Sequence, residues 1–373
     1  MKIIHKYIIK ETIGPLLLGF FMFTLIFLVD KMREMANMIV NKGVQIPDIL
    51  KLLMYILPAY IAITIPMGML LAVLIAFGRF NSDNEITAMK TNGVHVKTII
   101  YPIFAFSLLL SILMVLFNNY ILPRSNLAFK NLQYKILERR ASIAIQEKTF
   151  ITEFDGFVFY IDKKDDKTDT LTNVTAYVLE RTDEPSYIVL AKSGNISSDP
   201  TERRVILKLE DGTIHQLFEK DHSIYNKINF STYDLDLDVN RAANSSTMQN
   251  MKSAREMTFD ELGKEITRYF QNGINTNYLL IEYHKKISIP FACLAFTFIG
   301  ISFGIALRSK GKALGFMISL GIILIYYLLL VFGEVLGESG KLAPWLGMWF
   351  PNIIIGAAGL ILLYLTVKEK FFL

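Results

Sequence analysis

The sequence predicts an α-helical membrane protein with six transmembrane helices and an inserted all-β, jellyroll-like domain between helices three and four. Three observations carry this. First, six windows contain no Asp, Glu, Lys or Arg: 12–29, 52–78, 98–123, 287–307, 313–333 and 342–367. Each is close to the length that crosses a bilayer, about 20 mostly apolar residues. Second, charged residues still make up 20% of the chain, so the apolar residues are clustered, not evenly spread. Third, between the third and fourth windows the hydrophobic period changes from helical to alternating.

The elements follow in order. Lys2, Lys6 and Lys10 precede the first apolar run, as in a signal peptide. The run is long and ends in "VDKMREM" with no small-x-small cleavage site, so it reads as a retained first span. Window 12–29 is the shortest, and Glu11 and Asp30 fit at the interfaces. Phe20, Phe23 and Phe27 lie on roughly one face of it. That face is either lipid-facing bulk or the wall of a cavity for acyl chains.

Between spans two and three lies "RFNSDNEITAMKTNGV", residues 79–94. Ser82 and Glu85 form S-x-x-E, which predicts a capping box. Asp83 favours the positive end of a helix, and Asn92-Gly93 supplies a left-handed stop. A short helix over about 83–91 is expected, with Ile86 and Met89 sharing a face. Such an element either lies in the headgroups or plugs into a soluble partner.

Residues 124–147 read as a polar extension of the third span. Six segments then favour strands: 157–162, 173–180, 186–191, 203–210, 212–218 and 228–239. Turn signals separate them, among them Lys-Lys-Asp-Asp, Lys-Ser-Gly-Asn and Asp-Gly. Strands at this spacing without helices between them predict an antiparallel sandwich or jelly roll. Aspartates alternate along "YDLDLDV" and read as a solvated face, not a calcium loop. Thr258 before Phe-Asp-Glu is a second capping box, opening a helical stretch that leads into span four. "GISFG" (300–304) and "GEVLG" (333–337) are small-residue patterns that favour tight intramolecular helix packing.

Loop charge sets the orientation. With the N-terminus inside, segments 1–11, 79–97, 308–312 and 368–373 hold eleven Lys and Arg, against five in the short outside loops 30–51 and 334–341. Both termini are therefore expected inside and the β domain outside. Loop 30–51 departs from the trend with Lys31, Arg33, Lys42 and Lys51. These either snorkel to headgroups or attract an anionic ligand.

The chemistry is bounded by what is missing. "GIALRSKGK" (304–312) has the wrong spacing for a P-loop, and no H-E-x-x-H or G-x-S-x-G occurs. His215 and His222 have no ligand constellation around them, so no metal site is expected. The single cysteine, Cys293, lies in span four and reads as packing. The net charge of +5 is spread over loops, which gives no nucleic-acid patch. No carboxylate pair sits in the span centres, which argues against an ion-driven pump. A six-span body without an engine remains.

Two segments carry a resemblance. "GRFNSDNEITAMKTNGV" is similar to the cytoplasmic coupling segment of the LptF/LptG permeases. "EYHKKISIPFACLAFTFIGISFGI" (282–305) is similar to that family's fourth span, and the order of elements matches. The resemblance implies a permease subunit of an ABC transporter that extracts lipopolysaccharide from the inner membrane and passes it to a bridge of periplasmic β-jellyrolls. The resemblance also implies that it is not an enzyme and holds no cofactor, with ATP bound by a separate ATPase. The implied partners are an LptB-like ATPase dimer, a second LptF/LptG-type subunit and an LptC-like jellyroll protein. The implied location is the inner membrane of a double-membraned bacterium, with cytoplasmic termini and a periplasmic β domain.

In the family the glutamate of this segment docks in the ATPase; by position the resemblance implies that role for Glu85, with Ser82, Ile86, Met89 and Arg79 around it. Lys31 and Arg33 match the basic residues that meet lipid A phosphates, although Asp30 and Glu34 flank them and weaken their field. Phe20, Phe23 and Phe27 join that substrate set. Spans one and five, 12–30 and 313–335, are the implied lateral gates. The expected domains are 1–123 with a coupling helix at 82–92, 124–280 with helical stalks, and 281–373. The alternatives are a non-transporting envelope scaffold that recruits partners through its β domain, and a membrane enzyme acting on lipids.

Overall fold

The computed structural model describes residues 2–40, 44–144, 148–151, 157–165, 170–178, 187–199, 204–217, 225–236, 252–306 and 312–367. They fall into two compact units, Met1–Ala128 with Ser253–Leu373, and Phe129–Lys252.

The first unit is a helical bundle. Its long helices are α1 (Lys2–Val40), α2 (Ile46–Ser82), the part of α4 (Val96–Ala144) up to Ala128, α6 (Asn277–Ala306), α7 (Lys312–Glu338) and α8 (Pro344–Val367). The shorter α3 (Glu85–Thr91) and α5 (Phe259–Gln271) lie between them. Six helices are long and apolar enough to cross a membrane; four contain their charge-free window whole, α6 covers its window as far as Ala306, and α8 covers its window from Pro344. Only hydrogen-bonded helices or closed barrels satisfy backbone groups in lipid. Where a helix outruns its window, it does so because a helix does not stop at the bilayer edge. α1, for instance, continues through the charged "DKMRE".

α2 and α6 form the centre: 72% of each apolar window is buried, against 17–33% in the other four. Both small-residue patterns face neighbouring helices of the same chain. Gly304 packs on Phe77 and the backbone of Gly78 in α2, and Gly300 on Val73. A Cβ added at Gly333 of α7 would stand 2.2 Å from the Gly347 carbonyl oxygen of α8. Lipid offers no hydrophobic drive between helices, so this close packing is what joins them. Polar bonds pin the interior: Tyr326 donates to Asn352 Oδ1 at 3.1 Å, and Asn352 Nδ2 donates to the Ser288 carbonyl at 2.7 Å. Cys293 is fully buried in this core.

The second unit is one antiparallel sheet with its strands paired in sequence order: β1 (Phe150–Ile151), β2 (Phe157–Asp165), β3 (Thr170–Val178), β4 (Tyr187–Asp199), β5 (Arg204–Leu217) and β6 (Tyr225–Asp236). Two expected turns are corrected. Asp-Gly at 211–212 lies inside β5, which merges the segments 203–210 and 212–218, and Lys-Ser-Gly-Asn at 192–195 lies inside β4. Asp211 does take the left-handed φ of +50° that the dipeptide favours. Here that conformation makes a local kink within the strand, not a chain reversal.

The kink belongs to a row. Regular pairing skips Asp162, Asn173, Lys192, Asp211 and Ser231 on five successive strands. Asn173 is also left-handed, at φ +54°. At this row the inward face shifts by one residue: Leu171 and Val174 are both buried, and Phe230 and Tyr233 both pack on the core. Alternation alone would put one of each pair outside. Because every strand shifts together, the register survives while the sheet creases. Gly212 permits this, since its missing Cβ leaves room for the ring of Phe230. His222, Leu237 and Asp238 lie outside the described residues.

Candidate functional site

The site is the elbow between α2 and α4. α2 runs one turn further than its apolar window and ends at Ser82. Asn84 then takes a left-handed φ of +59° and turns the chain into α3, a conformation asparagine tolerates well. The expected capping box is therefore corrected. Ser82 is the last residue of α2 and its hydroxyl donates to the Arg79 carbonyl at 3.0 Å, whereas Asn84 is the N-cap and makes no side-chain cap bond. The expected stop is present. Gly93 has φ +79°, its N–H donates to the Lys90 carbonyl at 3.0 Å, and the Val94 N–H donates to the Met89 carbonyl at 3.0 Å. This is a Schellman ending, with Met89 and Val94 both packed on the core beneath.

One face of α3 is seated in the bundle. Ile86 is 3% exposed, in a cluster with Ile8 of α1, Phe80 of α2, and Ile99 and Ile103 of α4. The apolar pair Ile86 and Met89, on a face expected to meet either the headgroups or a partner, packs into its own chain. Asp83, Asn84, Thr87, Ala88, Thr91 and Asn92 are exposed. The free surface of the elbow is small and polar.

Glu85 does not fold back on Ser82. It accepts from the Tyr7 hydroxyl of α1, at 3.0 Å to each carboxylate oxygen. Arg79 Nη2 donates to the same hydroxyl at 3.4 Å, and Arg79 Nη1 pairs with Glu11 Oε2 at 2.7 Å. The guanidinium also stands over the Phe80 ring, 5.4 Å from its centroid. Asn81 Nδ2 donates to the Ile305 carbonyl of α6 at 2.8 Å. The elbow is thereby bonded to α1 and α6 as well as to its own helices. Arg79 is exposed enough that water screens its ion pair; the buried apolar seat is the firmer hold. Sequence reading missed Tyr7, Glu11 and Asn81. Tyr7 lies 78 residues from its partner, and no local pattern links them.

The other half of α1 carries the remaining expected residues. Lys31 pairs with Glu34 one turn on. Arg33 is exposed and lines an open groove with Asp30, Glu34, Ala36, Asn37 and Val40. The three phenylalanines do not form a lipid-facing stripe. Phe23 is 4% exposed and stacks on Phe316 of α7 at 6.4 Å, and Phe27 stacks on Tyr60 of α2 at 5.8 Å. Phe20 is part-buried against Phe21. The outward face is instead Leu17, Leu18, Phe21, Leu25, Ile26 and Val29.

A second polar cluster ties α6 to α7. Glu282 is buried and accepts from Arg255 Nε at 3.1 Å, with Lys285 Nζ 3.7 Å away; Lys285 Nζ donates to Glu334 of α7 at 2.6 Å. The Glu282 carboxylate holds the Arg255 guanidinium above its ordinary pKa. Nearby, α5 opens on the expected capping box, with the Thr258 N–H donating to Glu261 at 2.8 Å and the Glu261 N–H to Thr258 Oγ1 at 3.4 Å. His215 is bonded to Thr213 at 2.8 Å. Among the described residues no group of three or more His, Cys, Asp or Glu is placed to hold a metal ion.

The sequence model of one protein family, described as "Lipopolysaccharide export system permease LptF/LptG", matches residues 6–365. A protein of Rickettsia prowazekii (strain Madrid E), described only as uncharacterized, is 25% identical over 266 residues, 70% of this chain and 71% of its own length.

Proposed function

Because this chain belongs to the LptF/LptG lipopolysaccharide export permease family, we propose that α3 is the element through which a separate ATPase drives it. The chain is a membrane-spanning permease subunit of an ABC transporter and has no ATPase motif of its own. The seating of α3 supports the reading most. A helix of 7 residues is marginal alone, yet this one packs through Ile86 against α1, α2 and α4 and is bonded through Glu85 to α1. A force applied to its exposed polar face enters the bundle directly.

The working complex is this chain, a second LptF/LptG-type subunit, an LptB-like ATPase dimer and an LptC-like jellyroll protein. Both termini and α3 face the cytoplasm, and the sheet faces the periplasm. There the creased sheet acts as one unit of a jellyroll bridge, its apolar inner face offered to acyl chains. Arg33 meets a lipid A phosphate at the outer end of α1, and Lys31 joins it on leaving Glu34. Phe23 and Phe27, packed against α7 and α2, act by holding the gate closed until lipid enters.

Photocrosslinking tests the docking face. A benzophenone side chain at Thr87 or Ala88 is expected to capture a P-loop ATPase in membranes. The same probe at Leu25, 62% exposed on the outward face of α1, is expected to capture none. Absence of an ATPase adduct from both α3 positions would remove the basis for the coupling role.

A further inference from the structure

The family resemblance makes Glu85 the docking carboxylate of α3, and the following inference rests on the coupling role proposed for α3. The bonds around Glu85 form an ordered series across three helices. Glu11 accepts from Arg79, Arg79 donates to the Tyr7 hydroxyl, and that hydroxyl donates to Glu85. Each hydrogen bond polarises the next. Tyr7 and Glu11 are one helical turn apart and share a face of α1. The Tyr7 ring is fixed by Phe80, its centroid 5.7 Å away.

The partner Glu85 receives from this series is a neutral phenol, not the guanidinium. Its negative charge therefore remains available to a cation on another protein. Tyr7 lies 3.0 Å from both oxygens, so an incoming cation can take one oxygen while the phenol keeps the other. The carboxylate then has a foreign charge on one side and α1 on the other.

α1 is one continuous helix of 39 residues with Pro15 inside it, about 58 Å along its length at 1.5 Å per residue. Tyr7 stands near one end, and Lys31 and Arg33 stand towards the other. Displacing Glu85 pulls the near end of this helix through Tyr7. We propose that Tyr7 is a positioning residue that aims Glu85 at the ATPase and passes its movement along α1 to the lipid-facing end. Glu11 and Arg79 serve it by holding the phenol's own acceptor side.

Tyr7→Phe separates this role from packing, because the ring on Phe80 is kept and only the hydroxyl is lost. In proteoliposomes holding the full complex, lipid released per ATP hydrolysed is expected to fall about tenfold, the size of losing one hydrogen bond to a charged group. A spin label at Met32 reports the far end of α1, and its ATP-dependent distance change is expected to shrink while the thermal midpoint of the bundle stays put. In a Glu85→Gln background, Tyr7→Phe is expected to add little, since the two act as one unit. Wild-type stoichiometry and label movement in Tyr7→Phe, with Glu85→Gln still defective, would overturn the role of Tyr7 and leave the docking role of α3 standing. Losses that multiply in the double variant would also overturn it. A wild-type phenotype for Glu85→Gln would instead remove the docking role itself.

Discussion

Glu85→Ala is expected to reduce lipid release per ATP by about a hundredfold while the protein still folds and inserts. Two things are lost together. The Tyr7 hydroxyl loses its acceptor on α3, and, on the proposed docking role, a cation of the ATPase loses its counter-charge. Truncating one member of a desolvated charge pair costs about 2–5 kcal/mol, and about 3 kcal/mol corresponds to a hundredfold. Folding is spared because the seat of α3 is Ile86, not Glu85. Asp83→Ala is the control. Its side chain is exposed, and the nearest guanidinium nitrogen of Arg79 is 4.0 Å away, so less than a twofold change is expected. Release and ATPase assays on the two variants decide the matter. Equal effects would mean that bulk charge at the elbow matters and Glu85 does not.

Gly333→Ala is expected to destabilise the bundle more than any other single methyl addition at a transmembrane G-x-x-x-G position. The new Cβ would lie 2.2 Å from the carbonyl oxygen of Gly347, and the reciprocal Gly347→Ala places one 2.5 Å from the carbonyl oxygen of Gly333. Both obstacles are backbone, so no rotamer change relieves them; α7 and α8 must move apart. Overpacking typically costs about 1–3 kcal/mol, and separating two backbones belongs at the upper end. Gly321→Ala on the same helix meets nothing within 4 Å. It is expected to be neutral or stabilising, because glycine is the poorer helix former. Thermal midpoints in detergent read both. Equal midpoints for Gly333→Ala and Gly321→Ala would mean that the α7–α8 contact does not support the fold.

What was legible in the sequence followed from strong local physics. A bilayer demands long charge-free windows, and these gave six helices. Strand composition gave an antiparallel sheet, and Asn92-Gly93 gave the stop of α3. What misled was local geometry with two uses. Asp211-Gly212 has the composition of a hairpin turn, but five strands share that kink in register, so it became a crease. Ser82 and Glu85 have the spacing of a cap, but α2 gains another turn by continuing, and that turn consumes Ser82. Ile86 and Met89 were correctly placed on one face; which neighbour that face meets is a tertiary fact. The Tyr7–Glu85 bond is wholly non-local and leaves no trace in spacing. The family resemblance pointed to Glu85, and the structure added what holds it.

Reconstituted lipid release is the most direct test of the central claim, that this chain turns a separate ATPase's work into lipopolysaccharide extraction through α3. The complex of this chain, its second permease subunit and the ATPase is placed in proteoliposomes with lipopolysaccharide, and transfer to an added jellyroll acceptor is followed. Transfer is expected to require ATP and the ATPase subunit, and to be lost with Glu85→Ala. Transfer that proceeds at the same rate without ATP, or that Glu85→Ala leaves intact, would contradict it.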